Sequence, residues 1–560
     1  MDGDLPENST EAGGIATPAR GADRKVRSPP GESSERGKAS MNGTKEKRRG
    51  KRTGGIVMDL SRQGRMIFMV LALLLPVVSA SCGGGMVNSS GGGTGGTGVG
   101  PVSGFGSVIV NGVHYDDSAI DNTNFFDGHG RTKADLKVGM MVMITGTISG
   151  ATGRADDITI LRHVDGPMDD NGVTLATNKL KVMEQTVVVD TTTVFDNVVD
   201  LVAVDNLVKA GKRPELEVHG SADNNGVIHA TFIHKWSDDL IAGRPVQAKG
   251  TVSGLDTGAK MFSIGRKTVD YNALGSIPAG VVNGSFVEAK GTLRASDNAL
   301  VATSVKLEDA TGGQPSGSSA EVEGYVGRVV TPNASFELIG PNGFQTVTWT
   351  TGTTTFTDGA GADILAGVKV EVEGVRKVDG TLAATKIEIR QASNVRMEST
   401  VTSVSASSLT IFGKTVRVNA LTQYEDSRDG DTLFSQSGSH GVHVGDTLEV
   451  SAFLDNTTVP ASIVATRVER IDAIAPNRHI LQGPLDFALS PNLTILGITV
   501  VTIPPPGTKF LRADESEFAT QADFFAAVAV GDIVKARGNQ ATPVVIMNAD
   551  EVRIEPTIDN

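Results

Sequence analysis

Between Arg396 and Glu469 the apolar residues fall on alternate positions in short runs separated by turn-forming residues. An extended segment, Arg396 to Ser403, is followed by Leu409-Thr-Ile-Phe-Gly413 and Lys414-Thr-Val-Arg-Val418, which read as a hairpin. After a longer connection come Val444-Gly-Asp-Thr-Leu-Glu-Val450 and Ile463-Val-Ala-Thr-Arg-Val-Glu469. A period of two puts one face of each strand on a core and the other, carrying Thr and Glu, in water, as expected for an antiparallel sheet with a wet side.

The same order of elements recurs along the chain. The hairpin returns at Val108 to His114, Phe262 to Val269, Phe336 to Val347 and Leu493 to Val500. The fourth strand returns at Val138 to Val142, Leu216 to Gly220, Phe286 to Gly291, Val368 to Gly374 and Val530 to Val534. The last strand returns at Ile158 to Leu161, Ile228 to Ile233, Leu300 to Val305, Leu382 to Ile387 and Ala549 to Ile554. Self-similarity at such a period marks a repeat architecture. It divides the chain into units at 102–164, 165–236, 237–310, 320–391, 392–471 and 477–556. The predicted fold is all-β: about six tandem five-stranded antiparallel barrels similar to an OB-fold, with the connection after the third strand written as a short helix at Ala362 to Ala366 and Ala519 to Ala529. Glycines at 139, 220, 291, 374 and 445 suit turns or bulges. Small barrels are marginal alone, so neighbours are expected to stack into a curved or extended string.

Composition fits this picture. The 67 glycines and 4% aromatics among 560 residues imply many turns and modest cores. The single cysteine excludes an internal disulfide framework or a multi-thiolate zinc site. Formal net charge is −13, and the segment before Cys82 holds 14 of the 51 Lys and Arg but 9 of the 64 Asp and Glu, so the remainder is more acidic still. On that balance nucleic acid is expected to be repelled and is left off the list of partners.

The N-terminal part follows another grammar. Residues 1–57 are polar and end in a basic run through Arg52, which reads as a disordered extension or a misassigned start. Residues 58–81 read as a signal peptide, with Arg62 and Arg65 before a largely apolar run, Met66 to Ala80, too short for a membrane span of ~20 residues. The run closes on Ala80-Ser81-Cys82-Gly83-Gly84-Gly85, which resembles the lipobox of bacterial lipoproteins, although Ser79 departs from the usual Leu or Val. That resemblance implies cleavage between Ser81 and Cys82 and acylation of Cys82. Ordinary cleavage after a small residue is the alternative. Residues 82–101 read as a Gly-rich tether.

The opening Gly104-Phe-Gly-Ser-Val-Ile-Val-Asn-Gly-Val113, with later copies of Val-Gly-Asp and Ala-Thr-x-Ile/Val, resembles a family of bacterial tandem-repeat lipoproteins built from a small all-β domain of unknown function. The resemblance implies a cell-envelope location, with Gly83 rather than Asp after the cysteine favouring the outer membrane, and supplies no activity.

No GxSxG elbow, HExxH helix or P-loop is present in the sequence, and no cofactor is expected. OB-type barrels hold ligands by stacking on aromatics, for which Trp236, Trp349, Tyr115 and Tyr325 are the candidates. Asp426, Asp429 and Asp431 offer oxygen ligands for calcium but lack the EF-hand order and suit turns on their own account. His440 and His443 lie in a Gly- and Ser-rich connection without a third ligand nearby. The reading is a non-enzymatic, monomeric, lipid-anchored scaffold or binding protein of the cell envelope, its partner an envelope protein or a glycan. A glycan- or protein-binding module in one or two repeats is the second reading and a hydrolase assembled across repeats the third.

Overall fold

The computed structural model describes residues 95–476, 478–541 and 546–556. The extension, the signal peptide and Cys82 lie outside the described residues. In the first barrel the strands are Gly96–Gly104, Val108–Val110, Val113–Asp116, Met141–Ser149 and Thr152–Ile160. The first strand pairs with the second and fourth, the second with the third, the fourth with the fifth, and the third with the fifth in parallel. That order, 1-2-3-5-4-1, closes the sheet into a barrel, as in an OB-fold. Five further barrels, at 164–237, 246–307, 319–389, 395–471 and 479–554, close the same way.

The inward residues are those the alternation predicts. In the fifth barrel Leu409, Ile411, Val416, Leu448, Val450 and Val468 are fully buried, each worth about 1.5–3 kcal/mol relative to exposure.

A one-residue bulge in the fifth strand, at Asp156, Thr231, Thr303, Thr385 and Asp550, recurs opposite Gly146, Gly220, Gly291, Gly374 and Gly538 of the fourth. A Cβ at Gly146 would stand 1.8 Å from the carbonyl oxygen of Arg154, and one at Gly291 would stand 1.9 Å from that of Val301. These glycines are there because the fifth strand passes too close for a side chain. In the fifth barrel the position is Ala452, fully buried.

Three expectations change. The helical connections are Leu201–Lys209 in the second barrel and Gln521–Ala527 in the sixth, whereas Gly361–Asp363 is a single 3-10 turn. Asp200 caps the unforeseen helix by accepting from the N–H of Ala203. The predicted tether overlaps the barrel, since the first strand starts at Gly96 and is buried throughout. Its glycines serve packing: a Cβ at Gly98 would lie 2.2 Å from the Tyr115 hydroxyl oxygen and one at Gly100 2.1 Å from Asn111 Oδ1.

The third change concerns how barrels meet. First strands pair across barrels, antiparallel between the second and third (Ala248 opposite Val164) and between the fifth and sixth (Met397 opposite Leu481). The first barrel pairs in parallel with the fourth, Gly96 opposite Ser319 and Val99 opposite Val322. Cores follow suit: Val99, Met141 and Leu161 pack into the fourth barrel's core, and Val194 and Phe232 of the second into the first barrel's. The first and fourth barrels, distant in sequence, are therefore joined in addition to sequential neighbours.

Candidate functional site at the junctions between barrels

Where the first two barrels meet, charged residues are withdrawn from water. Arg162, which follows the first barrel's last strand, and Glu217, in the second barrel's fourth strand (Glu215–Ala222), are almost wholly buried. The Arg162 guanidinium pairs with Asp127 and lies 3.1 Å from Glu217 Oε1, which Arg131 also reaches at 2.6 Å. His219 Nδ1 accepts from the N–H of Met141 in the first barrel at 3.2 Å, so its proton sits on Nε2, donated to Glu217 Oε1 at 2.7 Å. Burial keeps His219 neutral, its affinity for a second proton lowered despite Glu217. Burial opposes ionisation of Glu217, but the His219 hydrogen bond and the Arg162 charge hold its carboxyl well below the usual range. Arg244 extends the cluster to Asp165 (2.7 Å) and Glu215 (3.0 Å).

A second set lies on the fourth barrel, on its first (Ser319–Thr331), fourth (Lys369–Arg376) and fifth (Leu382–Ile389) strands. Lys369 pairs with Glu323 at 2.8 Å, Lys386 with Glu388 at 2.8 Å, and Arg390 with Glu371 and Glu388. Glu321 has no cation of its own among the described residues: burial and then the Glu371 charge raise its carboxyl well above the usual range. An acid raised on folding keeps a proton that the unfolded chain releases, so stability falls as pH climbs from about 4.5 through the folded value. Glu321→Gln is expected to stabilise the protein at neutral pH and to flatten this fall. Urea midpoints between about pH 5 and about pH 8 would check it, and a variant with the wild-type slope would count against it.

A third set floors a cleft of about 650 Å³ between the sheet of the fifth and sixth barrels and the second barrel. Among its charges Arg467 pairs with Glu425 and Glu469, Arg396 with Glu449, and Lys535 and Arg553 with Glu555. The first set joins two barrels, whereas the second and third pair charges within one sheet.

The residues singled out in the sequence are dispersed. The guanidinium groups of Arg131 (4.9 Å) and Arg244 (5.0 Å) lie over the Trp236 ring and the His129 ring stacks on it at 5.7 Å, so Trp236 is engaged within the first ionic cluster. Trp349 packs on Phe336 and Phe356 in the fourth barrel's core, Tyr115 is fully buried in the first barrel, and Tyr325 is buried against the His229 ring. Asp426 accepts from the N–H groups of Asp429 and Asp431 and pairs with Arg470. Asp429 pairs with Arg428, and Asp431 with His440 at 2.8 Å. His443 is exposed near Asp446. Among the described residues no group of three His, Cys, Asp or Glu is placed to hold a metal. Sequence reasoning missed the ionic junctions, because Glu and Arg on alternate strand positions read as a solvated face.

Four segments, 164–234, 249–306, 323–388 and 398–469, match a family described as Domain of unknown function (DUF5666), one within each of barrels two to five. No curated protein matches. Among solved structures the chain is similar to one described as drosophila Unr CSD456, at 11% identity and a TM-score of 0.16, covering 42% of this chain and 98% of that one. Another is a multidomain protein with nucleic acid binding domains from Streptococcus pneumoniae, at 8% identity and a TM-score of 0.11, covering 43% of this chain and 75% of that one. The exclusion of nucleic acid, with the closed list of partners drawn around it, is corrected on this finding: a similar structure carries nucleic acid binding in its description. The physical fault lay in letting the sum of charges stand for a surface, since net charge does not say where basic groups cluster and a partner meets the local field. Scores this low assign no ligand to this chain.

Proposed function

Starting from a chain that carries four copies of this domain of unknown function within six OB-like barrels, we propose a non-catalytic, lipid-anchored scaffold of the cell envelope. The observation that carries it is the buried network of Arg162, Asp127 and Glu217 between barrels. Charges so placed fix how one barrel sits on the next, which a chain of independently tethered modules would not need. Anchoring rests on the sequence at Cys82, where small residues precede the chain's only thiol and glycines follow it. Two or more acyl chains at ~0.8 kcal/mol per buried CH2 hold a protein on a membrane stably. Gly83 after the cysteine favours the outer membrane.

The test is the intact mass of protein from the membrane fraction of its native host beside a Cys82→Ala variant. A chain starting at Cys82 with acyl mass, and loss of both the modification and membrane association in the variant, is the expected result. An unmodified chain in the soluble fraction would remove the anchor from the proposal.

A further inference from the structure

Lys249, in the third barrel's first strand (Val246–Asp256), is 2% exposed, yet its ammonium has no carboxylate in close contact. Lys267, buried in the same barrel, pairs with Glu184 at 2.8 Å. Lys249 Nζ instead donates to Oδ1 of Asn342 at 2.9 Å, while Glu288 Oε2 and Glu308 Oε1 stand off at 3.7 Å. Asn342 lies at the tip of the fourth barrel's hairpin, between Ser335–Gly340 and Gly343–Thr348, and is likewise 2% exposed. Its Nδ2 donates to the Asp309 carbonyl at 2.9 Å, so the amide is held from both ends with its oxygen toward the lysine. The amide carbon, one bond of about 1.23 Å beyond that oxygen, is therefore no more than about 4.1 Å from Nζ.

The Glu308 side chain is 1% exposed, and its Oε1 has no hydrogen-bond partner among the described residues. That carboxylate stands beside the amine and one residue from the carbonyl that holds the amide nitrogen. Glu288 and Glu308 each have a second cation, Lys290 at 3.0 Å and Lys306 at 3.2 Å. Loss of the Lys249 charge would leave neither carboxylate unpaired, and it would remove an ion from a place where charge is costly to keep.

We propose that Lys249 and Asn342 condense, in a reaction the folded protein carries out once on itself, to an isopeptide bond between the third and fourth barrels. Glu308 Oε1 takes a proton from Nζ, whose lone pair then attacks Cγ of Asn342. The Nζ–Cγ bond forms, Nζ gives up a second proton, and the Cγ–Nδ2 bond breaks. Glu308 relays both protons to Nδ2, which leaves as an ammonium ion. A primary ammonium and a primary amide thus become a secondary amide and free ammonium, with no co-reactant consumed. The bond joins the sheet of the second and third barrels to that of the first and fourth, which share no strand pairing among the described residues.

The test is tandem mass spectrometry of peptides from the full chain, unfolded and digested after purification in its folded state. A branched peptide joining the Lys249 and Asn342 segments, about 17 Da lighter than their sum, is expected. Glu308→Gln should slow its formation by roughly 100-fold or more, and Glu288→Gln should retain it, with circular dichroism showing that both variants fold. Linear peptides alone from the folded wild-type chain would overturn the proposal. So would the same mass loss confined to the Asn342 peptide, the product of succinimide formation at Asn342-Gly343, which Lys249→Met would leave in place. Branched peptide formed equally by Glu308→Gln and the wild type would overturn the role given to Glu308.

Discussion

Replacing Arg162 with methionine is expected to cost about 3 to 5 kcal/mol of stability. The guanidinium serves two buried carboxylates, Asp127 and Glu217, whose side chains are 1% and 0% exposed. Methionine fills a similar volume, so the loss is electrostatic: two anions remain in a poorly solvated space with Arg131 as their nearest cation. Removing Lys212, whose bridge to Asp239 is half in water, should cost at most about 1 kcal/mol. Denaturant unfolding of the two variants side by side is the check. Neutralising Asp127 and Glu217 as amides in the Arg162→Met background should recover most of the loss, because a buried ion pair is costly to break and cheap to replace as a whole. If Arg162→Met behaves like the Lys212 variant, the cluster does not hold the first two barrels together.

One position of the fold should show opposite tolerance in two barrels. Gly146→Ala drives a Cβ to 1.8 Å from the backbone oxygen of Arg154, an atom that cannot rotate away. Separation of the paired fourth and fifth strands should cost about 3 kcal/mol or more. Ala452 faces the same bulge in the fifth barrel, where the strands already accommodate a methyl group. Ala452→Gly should therefore cost only about 1 kcal/mol, from added chain freedom and a lost contact. Unfolding midpoints decide the matter, and equal losses for the two substitutions would mean that the bulge geometry is not the constraint.

These two cases mark what could be read from the chain. The alternation at Leu409, Ile411 and Val416, repeated in register along the sequence, specifies strands, hairpins and inward faces, and so the barrels and their number. Turn glycines such as Gly139 and Gly445, with φ of +84° and +98°, were also legible. Outward faces were not, because alternation distinguishes a core from everything else and treats water and a neighbouring barrel alike. Glu217, Glu371 and Arg467 therefore read as solvated, although each is buried against another charged side chain. The strand from Gly96 was hidden by its own composition, since glycines that let Tyr115 and Asn111 approach look like those of a flexible spacer. The helix at 201–209 had a signal, Asp200 ahead of an apolar run, that the repeat pattern of strands obscured.

The parallel pairing of Gly96–Val99 with Ser319–Val322 also orders events in time. A chain made from its N-terminus finishes the first barrel long before the residues that cover its opening strand exist. Until the fourth barrel arrives, that strand presents its outer row of amide and carbonyl groups to whatever is near, the situation in which strands pair with the wrong chain. A stretch dominated by Gly, Thr and Val offers a stray partner few side chains to grip, which makes the long wait safer than it would be for an apolar edge.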